Sequence, residues 1–147
     1  MKARIATFII VIALLLGFGA GTLAQDRPYT LGSVWSLTFV KTRDNGGEAY
    51  VKNLAANWKK VQDEAIKQGL VKSYKVLWGN SVDRDDWDML LMVEYKNYAV
   101  FDLPDETWDA IVQKVIGDES TQKQGDVARQ EIREILGGKE MREIVLK

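Results

Sequence analysis

The chain has no cysteine and no histidine among its 147 residues, and only two prolines. Without cysteine there are no disulfides, so an exported domain of this composition must be held by packing. Without histidine the commonest transition-metal ligand, the usual general base and the proximal haem ligand are missing together. A Ser-His-Asp or Cys-His device is excluded for the same reason. Acid–base work would fall to carboxylates, with Glu64, Asp88 and Glu94 as candidates. Only Glu94, between Val93 and Tyr95 in an apolar run, has a route to burial and a raised pKa, but the reading preferred places it at the strand's solvated end.

The one long uncharged stretch is N-terminal. Lys2 and Arg4 precede it, and no charge follows until Asp26. Thr22-Leu23-Ala24 puts small residues at the −3 and −1 positions of a signal-peptidase site, so cleavage is expected before Gln25, with export to the periplasm or the cell exterior. The alternative is a retained anchor, because residues 5–25 are about long enough to span a bilayer. Removing residues 1–24 leaves 123, enough for one domain with a core. Residues 25–32 read as a short leader and 33–147 as the domain. All 21 acidic residues stay and two of the 20 basic ones leave, so 18 positive charges face 21 negative ones. A net charge of −3 argues against a nucleic-acid partner, and no membrane contact is expected once the signal is removed.

Ser33–Thr42 is rich in β-branched and aromatic residues and reads as a strand, closed by the turn sequence RDNGG. Over residues 48–68, Val51, Leu54, Trp58, Val61 and Ala65 recur at threes and fours, the stripe of an amphipathic helix capped by Gly69. Residues 72–81 and 87–97 read as strands two and three. Asp102 and Pro104 mark the start of a helix whose buried stripe is Trp108, Ile111, Val112 and Val115. Residues 117–126 are polar and read as a mobile loop. A further helix carrying Ala128, Ile132, Ile135 and Leu136 is expected to stop at Gly137-Gly138, before a last strand over 141–146. The order strand, helix, strand, strand, helices, strand implies an α+β, ferredoxin-like domain: a four-stranded antiparallel sheet with helices on one face.

Four aspartates fall within Asp83–Asp88. An EF-hand loop opening at Asp83 would have Asp85 third and Glu94 twelfth, but Trp87 is fifth and Asp88 replaces the sixth-position glycine. The cluster therefore reads as the solvated lip of a hairpin, with no metal. The strand after it is apolar on both sides: Met89, Leu91 and Val93 on one, Leu90 and Met92 on the other. Trp35, Leu37 and Phe39 likewise oppose Val34, Ser36, Thr38 and Val40. One layer of helices covers one face of a sheet. A second copy of the same sheet is the simplest cover for the other, so a homodimer is expected.

The helix ending KQGLVKSYKVL, the hairpin into DWDMLLMVEYKN and the following YAVFD resemble the dimeric α+β barrel superfamily across residues 33–146. The resemblance implies two ferredoxin-like sheets closed face to face into a barrel, and carries no catalytic motif. Its haem-degrading members use an axial histidine that has no counterpart here. Two functions remain open and no cofactor is expected: a binding or structural module for a small hydrophobic ligand, or a cofactor-independent monooxygenase or isomerase acting on a hydrophobic or aromatic molecule. In either, the resemblance implies a cavity between helices and sheet, and Trp35, Asn57, Trp58, Tyr74 and Trp78 are the candidate lining residues.

Overall fold

A computed structural model describes residues 27–44 and 46–147. The expected signal at 1–24 lies outside the described residues. Strand β1 (Tyr29–Thr42) leads into helix α1 (Gly47–Asn53), a π-helical turn (Leu54–Trp58) and α2 (Lys59–Lys67), which together make one long helix. Strands β2 (Ser73–Trp78) and β3 (Met89–Tyr95) follow. A 3₁₀ turn (Tyr98–Asp102), α3 (Asp105–Val115), α4 (Glu119–Ile132) and β4 (Arg133–Leu146) complete the chain. The sheet order is β2-β3-β1-β4, every neighbouring pair antiparallel. Two strand–helix–strand units interleaved in this way make the ferredoxin-like α+β fold.

Strand alternation sorts the residues onto the two faces. Val34, Val40, Met89, Leu91, Val93 and Tyr95 are buried towards the helices. There they form two clusters, one with Ala65, Val71, Val100 and Ile111, the other with Tyr50 and Leu54. Trp58 packs against both. The opposite face, with Trp35, Leu37, Phe39, Leu90 and Met92, has no helix over it and is only half-buried.

The long helix keeps its register through the π turn, in which the Lys59 amide reaches back five residues to the Leu54 carbonyl. Tyr50, Leu54 and Trp58 recur at fours, a row that drifts around a 3.6-residue helix and that the wider turn brings back into line. Tyr50 is therefore buried where the stripe expected Val51, which is exposed. Gly69, at φ +74°, ends the helix: its amide donates to the Ile66 carbonyl at 2.9 Å and the Leu70 amide to Ala65 at 3.0 Å, the paired bonds of a Schellman cap.

Three boundaries differ from expectation. β1 begins at Tyr29, so half of the supposed leader 25–32 is strand, paired with residues 144–146. Residues 117–126 are mostly helix rather than loop. Asp118 caps α4 by accepting from the Thr121 amide at 2.9 Å and its hydroxyl at 2.8 Å, and Lys123 pairs with Glu119 at 2.6 Å. Its polarity is that of a helix with no buried residue. Finally, α4 stops at Ile132. Ile135, Leu136 and Gly137-Gly138 belong to β4, which runs from Arg133 instead of Met141 because a long ladder with β1 captures them. Among the described residues no helix is long and apolar enough to cross a membrane.

Candidate binding cavity

The helix-facing centre of β1 is small: Ser36 and Thr38 stand between buried Val34 and Val40, and Thr38 faces Gly138 across the β1–β4 ladder. Below the π turn these residues cannot fill the space between sheet and helices, and a cavity of about 560 Å³ remains. That volume suits a small organic ligand. Leu54, Trp58 and Val61 line it from the long helix, Leu91 from β3, and Val112 and Ile116 from the end of α3. The polar flank of α4, from Thr121 to Arg129, covers one side, and Arg133 and Ile135 of β4 close another. The second helical segment of the β3–β4 crossover thus forms a wall of the cavity.

Arg133 reaches this position through a β-bulge. Phe39 pairs with Gly137 but Val40 with Ile135, leaving Leu136 as the extra residue and turning Arg133 and Ile135 towards the helices. The Arg133 guanidinium lies over the Tyr50 ring, 5.6 Å from its centroid, while its Nε is buried and has no hydrogen-bond partner among the described residues. Tyr50 is 2% exposed. Burial pushes its phenol up from 10.0, against the opposing fields of Arg133 and Arg129 and a hydrogen-bonding contribution from Arg133, so it stays protonated at neutral pH. Arg129 is paired with Asp126. Asn53 and Asn57 also line the cavity and make no side-chain hydrogen bond among the described residues.

Of the five residues expected to line a site, Asn57 and Trp58 do so. Tyr74 stands behind Trp58, ring to ring at 5.1 Å and 83°, with its hydroxyl donating to Asp63 at 2.9 Å. Trp78 is 55% exposed at the sheet edge, beside a shallow depression that also includes Thr42 and Asp88. Trp35 lies on the face away from the helices, under the Lys75 ammonium at 5.3 Å. Those two stand apart from the cavity. Tyr50, Arg129 and Arg133 were missed. Reading residues 133–136 as helix hid the arginine, because only a strand with a bulge brings it to this face.

The three candidate carboxylates are structural. Glu94, the one carboxylate with a route to a raised pKa, moves the other way. Lys72 Nζ donates to it at 2.7 Å and the Ser73 hydroxyl at 2.5 Å; with Ser33 beside them, these donors hold its carboxyl at about 2. Glu64 is buried and receives Lys114 at 2.6 Å and Gln68 at 3.0 Å, tying α2 to α3; the Lys114 bond chiefly lowers its pKa. Asp88 is half-buried rather than exposed and accepts from both the amide and the hydroxyl of Thr42, closing the end of β1. In the acidic lip the carboxylates turn on their own loop. Asp83 accepts from the Asp85 amide at 2.9 Å, and Asp86 from the amides of Val82 and Trp87, each at 2.9 Å.

No family model matches the chain, and no curated protein matches it. Among solved structures it is similar to a dimeric ferredoxin-like protein from an uncultured marine organism, at 13% identity and a TM-score of 0.45, over 80% of this chain and 90% of that one.

Proposed function

We propose that this chain is an exported, homodimeric α+β barrel protein that binds a small, largely apolar molecule between its long helix and its sheet. The cavity of about 560 Å³ carries this reading: apolar on the helix and β3 sides, it holds a few polar groups without partners of their own. Such a mixture orients a ligand as well as enclosing it. Binding is preferred over oxygenation or isomerisation because the titratable groups at hand are not poised for proton transfer. Tyr50 is pushed away from neutrality and Asp126 is committed to Arg129.

The dimer rests on the uncovered sheet face. Four strands about 4.8 Å apart and seven residues of about 3.4 Å rise make a face of roughly 19 by 24 Å. Trp35, Leu37, Phe39, Leu90 and Met92 fill its middle, with Leu77 (53% exposed) and Met141 (47% exposed) beside them. At about 450 Å² in plan the face matches the larger apolar patches of soluble proteins, which are commonly functional, and the side chains around it, with Lys75 and Lys139 lying over Trp35 and Phe39, would have to join it to reach the ~800 Å² per partner of a standard interface. A second copy presents the matching apolar surface.

Gly125 tests the cavity. It sits on the α4 wall, and a Cβ there would meet only the flexible Arg129 tip, at 3.3 Å. Gly125→Leu should fill the cavity and gain up to ~1 kcal/mol of helix propensity. The parent should enhance the fluorescence of phenylnaphthylamine, and the variant should lose that enhancement without a lower melting temperature. Equal enhancement by both proteins would place the dye elsewhere and end the reading.

A further inference from the structure

We infer that the cavity selects an anionic ligand, a small apolar molecule bearing a carboxylate, with Arg133 as its head-group contact. The inference rests on the cavity-binding reading above and adds the ligand's charge.

Arg133 is the reason. Among the described residues it enters no ion pair, whereas its neighbour Arg129 is matched by Asp126. Cavity-lining charge therefore sums to one uncompensated cation. A half-buried guanidinium with a buried Nε lacking an acceptor is costly to leave so, because the charge has lost part of its water and the Nε donor all of it. The Tyr50 ring over which it lies offers a π face, which supports the cation without accepting an Nε–H bond in its plane. A carboxylate in the cavity answers the charge at the guanidinium's terminal N–H groups, Nε itself being closed off from solvent. It accepts two parallel N–H bonds from a guanidinium edge and neutralises the charge.

The other polar groups fit the same head. Asn53 and Asn57, one turn apart on the long helix, each bring an uncommitted amide donor to the lining. Tyr50 keeps its proton and repels no anion. The remaining wall, Leu54, Trp58, Leu91 and Val112, suits a hydrocarbon or aromatic body. A free cation or a sugar would find neither a carboxylate without a partner nor a dense hydrogen-bonding surface.

Naphthaleneacetate and its uncharged amide share one apolar body and differ in the head, and titration calorimetry on the full mature protein compares them. The acid should bind roughly ten- to a hundredfold more tightly than the amide. Arg133→Met should erase that preference, weakening the acid much more than the amide, whose carbonyl loses only a neutral acceptor's bond. Arg133→Lys keeps a charge but loses the fork, and should retain a smaller preference. If Arg133→Met melts early by circular dichroism, the comparison of parent with Arg133→Lys carries the test. Acid and amide binding equally well, with both blocked by Gly125→Leu, would overturn the inference and leave the cavity reading intact. Preference surviving in Arg133→Met would also overturn it. Neither compound binding would overturn the cavity reading and this inference with it.

Discussion

Leu90 stands at the centre of the uncovered sheet face, paired with Phe39 on β1 and Leu77 on β2. Changing it to lysine tests the dimer without touching the core. Full burial of a leucine is worth ~1.5–3 kcal/mol. Leu90 is already half-covered in one chain, so dimerisation gains about 1 kcal/mol from it per copy, and a twofold contact counts it twice. Bringing two ammonium groups into an apolar contact adds several kcal/mol, of which about half is recovered by the side chains reaching for the rim. A net loss of about 4 kcal/mol weakens association roughly a thousandfold. In sedimentation velocity at micromolar concentration the parent should run as a dimer and Leu90→Lys as a monomer that keeps its circular dichroism. Met89→Lys is the control, since Met89 is fully buried against Val40, Tyr50 and Leu54 and should unfold the domain. A parent that sediments as a monomer, or a Leu90→Lys chain that stays dimeric, would refute the argument.

Glu94 makes a pH-dependent contribution whose sign is set by its lowered pKa. Its stabilisation is complete above the ordinary value of 4.5 and is lost as pH falls towards about 2, as the carboxylate gives up its bonds from Lys72 and the serines. Because Lys72 is half exposed, screening discounts the effect to about 1 kcal/mol. Denaturant midpoints should fall across that window more in the parent than in Glu94→Gln, and parallel curves would remove Glu94 from the account. Export should leave Gln25 at the N-terminus of the mature chain, cyclised or not, as intact-mass spectrometry will report; a membrane-bound product retaining residues 1–24 would rule cleavage out.

Most of the fold was legible because it is written in local periodicity. Alternation identified β1 and β3 and showed both faces of each to be apolar, and the helical stripe ending at Gly69 located the long helix. The β-α-β-β-α-β order followed from those pieces. The errors cluster where a local pattern admits two readings. Ala128, Ile132, Ile135 and Leu136 fit a helical row, yet the last two lie in a strand, and only the distant partner β1 decides between them. Gly137-Gly138 breaks either element. A polar run such as 118–126 has no apolar face to announce a helix, and its capping residue, Asp118, was the one available sign.

The cavity was harder to see because it depends on registers between segments far apart in sequence. Its floor is low because Thr38, with Ser36 beside it on the same face, meets Gly138, a pairing about a hundred residues apart that no local pattern encodes. Its charge depends on one extra residue. From Met141 back to Gly137 the odd-numbered residues of β4 lie on the uncovered face; past Leu136 that parity reverses, and Arg133 and Ile135 turn inwards. A ladder without the bulge would send both to the uncovered face, since a one-residue slip exchanges the two sides of a strand. Met141 on the apolar face and Arg133 in the cavity are thus consequences of the same irregularity, and so one strand can serve a dimer contact at one end and a ligand at the other. A bulge that re-aims a side chain into a pocket is a recurrent device near functional sites. Here it turns an arginine inwards, over the ring of Tyr50, and leaves its Nε without an acceptor.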